Sequence, residues 1–373
     1  MKTIDDLFAR TLSALWQRGE SSWLATVLAV DGSAYRHEGA KLIVGPDGQP
    51  VGLISGGCLE GDVALRTLAE GSGVRLLTYA LADEGLFGMG AGCPGTVRIL
   101  LERLDPPGRS PGPLHRFLQD LLLGRRAVLA TVVAEDGSGA IGRLYGNDQG
   151  QWLGEQHAWQ AACAQVLAEE RPLARAFRGK DGAWVLIDVC APAQSLVVFG
   201  AGDDALPLVS LARQVGFRVT VADHRPNLLA ARRLPGVRRV DLRRPPGPAS
   251  LISPGAAVVV MNHHLQWDAH ALALALSSPA AYIGLLGPIG RSDRTLALLA
   301  ENGTSVSATV RRRIHTPGGL DIGARTPEEI ALSLLSEIVA SRERRPGTSL
   351  SGHRGPLHHA PREIEHTEVG VHE

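Results

Sequence analysis

Cysteine is scarce in this sequence. The 373 residues contain four cysteines, Cys58, Cys93, Cys163 and Cys190, and no two of them form a Cys-x-x-Cys pair. Small secreted domains that depend on disulfides need many more cysteines in a much shorter chain. The pattern therefore argues against a disulfide framework and favours a protein of the reducing cytoplasm.

Long apolar runs, a basic leader and an excess of either charge are also missing. No stretch approaches about eighteen consecutive apolar residues, so no membrane span is expected. The first residues do not combine a basic segment with an apolar run, so no signal peptide is expected. Lys plus Arg and Asp plus Glu both number 38, which argues against broad binding to nucleic acid or to anionic membranes.

The hydrophobic pattern changes along the chain and predicts an α/β protein of two or three domains. An amphipathic helix, strands and a hairpin are indicated at the start. From residue 195 short apolar runs alternate with helical segments, and Thr326, Pro327 and Glu329 supply a capping box for a last helix. We therefore predict an N-terminal α+β domain followed by a C-terminal Rossmann-type doubly wound parallel sheet. The predicted boundaries are 1–104 and 114–190 for the two parts of the N-terminal domain, 105–113 for a proline-rich linker, 195–342 for the Rossmann-like domain and 343–373 for a disordered tail.

The two parts of the N-terminal domain share a local repeat. Residues 24–33 (LATVLAVDGS) match residues 129–138 (LATVVAEDGS) at eight of ten positions. The simplest interpretation is two related strand-and-turn units that share one sheet or pack together. The second copy lacks the Gly-Gly-Cys loop of the first.

A dinucleotide fingerprint follows the first predicted strand of the C-terminal domain. Residues 200–205 have the form Gly-x-Gly-x-x-Ala, in which Gly200 permits a tight turn and Gly202 lets a pyrophosphate approach the backbone. Asp223 ends the next strand, at the spacing expected for a carboxylate that binds a ribose hydroxyl. NAD(P) is a candidate cofactor. Acidic residues 203 and 204 disfavour phosphates, whereas Arg225 favours a 2′-phosphate, so the nucleotide stays open.

Other candidate ligand-binding residues are predicted at the same edge of that sheet. His263 and His264 follow one strand, Asp268 comes within a turn of them, and Gly287 follows the next strand. His263 and Asp268 are candidates for a metal site or for proton transfer. The alternative is that a histidine caps the next helix or hydrogen-bonds within its loop.

The Ser-Gly-Gly-Cys-Leu-Glu segment at residues 55–60 lies between a strand and a helix. Gly56 and Gly57 allow a ligand to approach the backbone, and Cys58 at a helix N-terminus can offer thiolate for metal or sulfur chemistry. Cys93, also flanked by glycines, is a weaker candidate. The alternative is that these cysteines are small buried residues at tight turns, as we expect for Cys163 and Cys190.

Several motifs in the same order resemble the XdhC/CoxI family of xanthine dehydrogenase accessory proteins. In the N-terminal half they are Gly32-Ser33, Gly39, the Gly-Gly-Cys-Leu-Glu loop at 56–60 and Gly92-Cys93. In the C-terminal half they are residues 199–204, 221–226, 282–287, 317–323 and 326–331. The sequence departs from the family at Pro94, where a glycine is expected, and at Asn262, where a threonine is expected.

The resemblance implies a chaperone that binds molybdenum cofactor (molybdopterin), supports its sulfuration and delivers it to apo xanthine dehydrogenase or a related molybdenum hydroxylase. It implies a cysteine desulfurase as second partner and carries over Cys58 as the residue that contacts the cofactor. Gly56, Gly57 and Glu60 of the same loop are predicted to bind the cofactor with it. A homodimer is the default oligomer. Two other functions stay open: an NAD(P)-dependent oxidoreductase with His263 or His264 as proton donor, and a sulfur carrier with persulfide on Cys58.

A phosphate-bearing pterin also needs positive charge close to the cysteine loop. Ser33, Arg36, His37 and Lys41 lie between the first strand and that loop in the sequence. We therefore expect these residues to supply the positive side of the site. The alternative is that they are solvated surface residues near a turn.

Overall fold

A computed structural model describes residues 4–32, 34–68, 73–81, 95–134, 141–169, 173–179, 182–244, 247–304 and 311–352. The chain divides into two compact units, which within these ranges comprise residues 4–192 and 193–352. Each hydrophobic cluster of the described residues lies within one unit. The two units therefore have separate cores. No helix in the described part of the chain is long and apolar enough to cross a membrane.

The described residues of the N-terminal unit form two antiparallel sheets and four α-helices. The first sheet has the order β3-β2-β1-β5-β4 and the second the order β8-β7-β6-β10-β9. The helices are α1 (Ile4–Arg18), α2 (Glu60–Leu68), α3 (Pro113–Leu123) and α4 (Gln160–Ala168). The strands are β1 (Ser22–Gly32), β2 (Lys41–Val44), β3 (Pro50–Gly52), β4 (Val74–Ala80), β5 (Gly95–Leu104), β6 (Ala127–Val133), β7 (Ile141–Asn147), β8 (Trp152–Gly154), β9 (Arg175–Arg178) and β10 (Trp184–Cys190).

The two sheets have the same topology, and the repeated sequence occupies the central strand of each. In the first sheet Leu24 of β1 pairs with Glu102 of β5, and in the second Leu129 of β6 pairs with Asp188 of β10. The second strand of the outer hairpin ends at Gly52 in the first sheet and at Gly154 in the second. Each of these glycines has a positive φ and lies too close to the backbone of the neighbouring strand for a Cβ. The N-terminal unit is thus built from two topologically equivalent halves.

Side chains from both halves form a shared interior. One cluster joins Leu28 and Leu100 to Val133, Trp184 and Leu186, so the central strands of the two sheets pack on each other. Another places Phe117 of α3 against residues of both sheets. Burial of these apolar faces stabilises the pairing of the halves, at roughly 25 cal/mol per Å² of apolar surface removed from water.

The C-terminal unit is a six-stranded, fully parallel sheet of order β13-β12-β11-β14-β15-β16. Its strands are β11 (Ser195–Phe199), β12 (Arg218–Asp223), β13 (Arg238–Asp241), β14 (Ala257–Val260), β15 (Tyr282–Leu285) and β16 (Ile314–His315). Its helices include α5 (Ala205–Gln214), α6 (Pro248–Leu251), α7 (Leu265–Leu276), α8 (Ile289–Glu301) and α9 (Pro327–Arg342).

This architecture confirms the predicted fold class. The central strands β11 and β14 are buried on both faces, because one apolar cluster covers each side of the sheet. Helix α9 begins with the predicted capping box, in which the Thr326 hydroxyl accepts from the Glu329 N–H and the Glu329 carboxylate accepts from the Thr326 N–H. The strand order reverses between β11 and β14, which is where sheets of this kind bind ligands.

Candidate functional site

The cysteine loop is organised around one serine hydroxyl. Ser55 Oγ accepts hydrogen bonds from the backbone N–H groups of Gly57, Cys58 and Leu59, at 3.2, 3.0 and 3.0 Å. These N–H groups belong to the loop that precedes α2, where no helical hydrogen bond is available to them. The hydroxyl therefore fixes the course of the loop that carries Cys58.

Glu60 holds Ser55 in place from inside the protein. Its buried carboxylate accepts from the N–H groups of Ile54 (3.0 Å) and Ser55 (2.8 Å) and from the Ser55 hydroxyl (2.5 Å). Burial works to raise the pKa of Glu60, but the hydrogen bonds from Ser55 and from the backbone outweigh it and hold that pKa below its ordinary value. In this geometry Glu60 supports the loop from within.

The outer side of the loop presents the thiol and two glycines. Cys58 is exposed, and a Cβ on Gly57, whose φ is 109°, would have no atom within 4 Å. A Cβ on Gly56 would lie 3.7 Å from the ring of Tyr35, a residue with 68% of its surface exposed. The loop thus combines an accessible sulfur, a stretch of bare backbone and an adjacent aromatic ring.

The other cysteines have different environments. Cys163 and Cys190 are buried, and burial raises the pKa of each thiol to about 12. Neutral thiols are poor nucleophiles and poor metal ligands, so these two act as core residues. Cys93 lies outside the described residues, so its predicted role is untested.

The positive residues predicted beside the cysteine loop are arranged differently from the expectation. Lys41 does not present a free positive charge. Its ammonium group is buried and forms an ion pair with Asp188 of the second sheet, and it also donates to the Gly39 carbonyl. The need to neutralise a buried ammonium explains this pairing. Arg36 is half-buried, His37 is exposed, and Ser33 lies outside the described residues.

In the Rossmann unit the fingerprint glycines are required by the fold itself. Gly200 has a φ of 122°, and a Cβ on it would lie 2.4 Å from the carbonyl oxygen of Met261, just after β14. A Cβ on Gly202 would lie 2.4 Å from the Asp204 carboxylate. A larger residue at position 200 would therefore displace the loop from the neighbouring strand, with or without a nucleotide, whereas a larger residue at position 202 would require the Asp204 side chain to move.

Asp223 is fully buried and its carboxylate is already engaged by the chain. It accepts from the Ala201 N–H at 2.7 Å and from the Arg225 N–H, Nε and Nη2 at 2.8, 3.0 and 2.9 Å. Burial opposes ionisation, but these hydrogen bonds and the Arg225 charge hold the pKa of Asp223 below its ordinary value. The carboxylate therefore ties the glycine loop to the end of β12.

His263 spans the point where the strand order reverses. Its Nε2 lies 2.6 Å from the Asp204 carboxylate, which joins the loop after β14 to the loop after β11. The hydrogen bond raises the pKa of His263. Burial works to raise the pKa of Asp204, yet the bond with His263 lowers it. The structure thus brings two groups of opposite charge together across the sheet edge.

Asp268 does not contact His263 by a hydrogen bond. Its buried carboxylate accepts from the Asn262 N–H (3.0 Å) and amide (3.2 Å) and from Arg291 (2.5 Å). The Asn262 side-chain oxygen is buried and has no hydrogen-bond partner. Within the described ranges, no group of three or more His, Cys, Asp or Glu residues is arranged to hold a metal ion.

Gly287 lies at a cavity at the end of β15. The cavity has a volume of about 590 Å³ and is lined largely by residues 317–324. Gly287 has a φ of 125°, and a Cβ on it would lie 2.8 Å from the Arg291 side chain. This predicted site residue therefore borders open space at the ligand-binding edge of the sheet.

Sequence reasoning missed several residues that shape these sites. Ser55 could have been found, because serine hydroxyls commonly accept hydrogen bonds from backbone N–H groups a few residues later in a turn. Tyr35, Arg291 and the pairing of Asp204 with His263 carry no local signal. Their positions depend on elements that are distant in the sequence.

The fold and these loops define a Rossmann-domain protein with an appended unit that carries an exposed cysteine. The sequence model of the XdhC and CoxI family matches residues 15–80, and that of the XdhC Rossmann domain matches residues 196–338. The chain belongs to the XdhC and CoxI family, as the motifs predicted.

Individual relatives cover almost the whole chain. A probable xanthine dehydrogenase subunit of Bacillus subtilis is 32% identical over 346 residues, which are 90% of this chain and 98% of the relative. The molybdenum cofactor insertion chaperone PaoD of Escherichia coli is 24% identical over 87% of this chain and 84% of its own length. A crystal structure described as a xanthine dehydrogenase from Bacillus halodurans superposes with a TM-score of 0.70 at 31% identity, over 94% of this chain and 98% of that chain.

Proposed function

We propose that this protein is an accessory protein for molybdenum hydroxylases, which binds molybdenum cofactor at the Cys58 loop and passes it to an apo-enzyme. The observation that carries the proposal is the exposed Cys58 thiol on a loop fixed by Ser55 and Glu60. The name of the Escherichia coli relative, a molybdenum cofactor insertion chaperone, supports the same role.

The residues of the loop fit such a cofactor. Thiolate is a soft ligand suited to a thiophilic metal centre, and the bare backbone at Gly56 and Gly57 lets a flat pterin approach closely. The exposed Tyr35 ring offers a stacking surface beside these glycines. When bound, the cofactor supplies the molybdenum centre whose terminal sulfido ligand the hydroxylase needs.

The partners follow from this role. The apo-hydroxylase, xanthine dehydrogenase or a relative of it, would receive the cofactor, and a cysteine desulfurase would supply the sulfur. Persulfide detected on Cys58 after incubation with a desulfurase would favour the sulfur-carrier alternative. A Cys58→Ala variant that still carried the sulfur would exclude that alternative.

The test is co-purification of molybdopterin with protein expressed in cells that make the cofactor. We expect cofactor on the wild type and on Leu65→Ala, a change at an exposed residue of α2, and none on Cys58→Ala. Leu65→Ala controls for a general disturbance of the helix. Equal cofactor on the wild type and on Cys58→Ala would contradict a site at Cys58.

We further propose that the Rossmann unit binds a nicotinamide dinucleotide along its carboxyl edge. The Gly200 loop, the start of α5 and the reversal of strand order support this proposal. His263 is the group best placed there to hold a proton, since Asp204 raises its pKa. Oxidation of NAD(P)H with an added electron acceptor, lost in His263→Gln, would favour the oxidoreductase alternative over a purely carrier role.

A further inference from the structure

Two equivalent aspartate–arginine clamps lie side by side at the carboxyl edge of the Rossmann sheet. Asp223 and Asp241 are register partners at the ends of β12 and β13. Arg225 binds Asp223 through its N–H, Nε and Nη2, at 2.8, 3.0 and 2.9 Å. Arg243 binds Asp241 through the same three groups, at 3.0, 3.0 and 2.6 Å. The guanidinium groups are therefore held in fixed orientations on neighbouring strands.

The first clamp removes the usual partner of an adenosine ribose. A carboxylate at the end of the second strand ordinarily accepts from ribose hydroxyls. In this protein Asp223 is fully buried and already accepts four hydrogen bonds, from Ala201 and Arg225. A carboxylate offers about four lone-pair directions, so no acceptor is left for a ribose diol.

Unlike the Asp223 carboxylate, the side chains of Arg225 and Arg243 are accessible to a ligand. The Arg225 side chain is 38% exposed and that of Arg243 is 54% exposed. The remaining N–H groups of each guanidinium can donate to an anion, and the planar fork suits phosphate oxygens. Arg244 is also exposed and adjoins the second clamp.

The local charge favours an anion as well. The whole chain is formally neutral, but residues 223–244 contain seven arginines and two aspartates. The arginines are Arg225, Arg232, Arg233, Arg238, Arg239, Arg243 and Arg244. A concentration of positive charge on one segment of a neutral protein attracts a multiply charged ligand to that segment.

We propose that Arg225 and Arg243 bind a phosphate monoester on the adenosine ribose, so that the Rossmann unit selects NADP(H) over NAD(H). This inference rests on the proposed binding of a nicotinamide dinucleotide. A monoester phosphate carries close to two negative charges at neutral pH, and two preoriented guanidinium groups match it. The unphosphorylated dinucleotide would meet a saturated Asp223 and two arginines without an anion.

The experiment is a calorimetric titration of the full-length protein with NADPH and, separately, with NADH. We expect NADPH to bind at least about ten-fold more tightly, because each hydrogen bond to a charged group contributes enough for such a factor. Adenosine 2′,5′-bisphosphate should compete with NADPH, and ADP, which lacks the 2′-phosphate, should compete at least about ten-fold less well.

Two variants locate the selectivity at the clamps. Arg243→Ala should weaken NADPH binding and leave NADH binding unchanged, and Arg225→Lys, which keeps the charge but loses the fork, should do the same. Arg238→Ala is the matched control, since it removes the same charge from the amino end of β13 and should keep full selectivity.

The outcomes separate the two proposals. Equal affinity for NADPH and NADH would overturn the phosphate site and leave dinucleotide binding intact. Absence of binding by either nucleotide would overturn both. Loss of selectivity in Arg238→Ala as large as in Arg243→Ala would also overturn the site, because diffuse charge rather than the clamps would then explain the preference. None of these results depends on molybdenum cofactor binding at Cys58.

Discussion

His263 is held in a backbone conformation that side chains rarely adopt. Its φ is 57°, in the left-handed region, and its ring is bonded to Asp204 across the sheet edge. Left-handed backbone at a residue other than glycine costs free energy and persists where surrounding contacts enforce it. The bond to Asp204 is such a contact, and it links the backbone strain to the protonation state of the ring.

The pair predicts a pH dependence of stability. The bond to Asp204 raises the pKa of His263. The stabilisation that the protonated ring gives to the folded protein is therefore fully present below the ordinary pKa of 6.5, and it is lost as the pH rises through the pKa of the folded state. The pKa of Asp204 is lowered in the folded protein. The stabilisation that its ionised carboxylate gives is therefore present above the ordinary pKa of 3.8, and it is lost as the pH falls through the lowered pKa. Asp204→Asn should therefore cost more stability at pH 6 than at pH 9, as measured by urea unfolding.

NMR titration of the histidines tests directly whether the bond to Asp204 raises the pKa of His263. The pKa of His263 should lie above 6.5 in the wild type and return toward 6.5 in Asp204→Asn. Asp203→Asn is the matched control, because the exposed Asp203 pairs with Arg233 instead. A His263 pKa that is the same in the wild type and in Asp204→Asn would show that the bond does not form in solution.

The Ser55 hydroxyl gives a second prediction for a single residue. Ser55→Ala leaves three backbone N–H groups of the cysteine loop without their acceptor, and the loss of such an acceptor costs about 1–3 kcal/mol. Ser55→Thr keeps the hydroxyl and should cost much less. Urea denaturation measures both, and an unchanged free energy of unfolding in Ser55→Ala would show that water replaces the hydroxyl without loss.

At the scale of elements, reciprocal ion pairs join the two halves of the N-terminal unit. Lys41 of β2 binds Asp188 of β10, and Arg143 of β7 binds Glu102 of β5. Lys41 and Arg143 occupy equivalent positions in their halves, because each lies beside the hairpin glycine of its own sheet. The same type of ion pair between the sheets is thus made twice: once with the basic residue on the first sheet and once with the basic residue on the second.

The first of these pairs suits a double-mutant cycle. Both side chains are nearly buried, with 9% and 5% of their surface exposed, so Lys41→Met alone leaves an unpaired buried carboxylate and should cost about 3–5 kcal/mol. The double variant Lys41→Met with Asp188→Leu should recover most of that loss, because neither charge is then buried alone. Additive effects of the two substitutions, measured by urea unfolding, would indicate that the charges do not interact.

At the scale of the whole molecule, the two units are joined by a short exposed segment. Residues 191–193 are exposed and follow β10, and β11 begins at Ser195. Exposed segments between cores are preferred sites of proteolysis. Brief digestion with a protease of broad specificity should therefore cut near residue 192, as mass spectrometry of the fragments would show. Resistance of this segment while other sites are cut would contradict the prediction.

The hydrophobic pattern was sufficient to predict most strands and helices of the Rossmann unit, but it did not reveal the edge strand of the sheet. The alternation of apolar runs with helical segments from residue 195 predicts helices such as α8 (Ile289–Glu301), because an apolar face with a helical period is visible in the local sequence. Strand β13 was not predicted. Its sequence, Arg-Arg-Val-Asp, has no apolar run, since an edge strand contacts one neighbour and can carry charged residues.

Local sequence patterns were enough to find the alternating strands and helices other than β13, the glycine turns, the cysteine loop and the family. Each of these depends on a few neighbouring residues. The tertiary structure decided the partners of the charged groups: Lys41 meets Asp188, 147 positions away, and His263 meets Asp204, 59 positions away. A buried charge must be paired, but its partner depends on which elements pack together, and no local pattern records that choice.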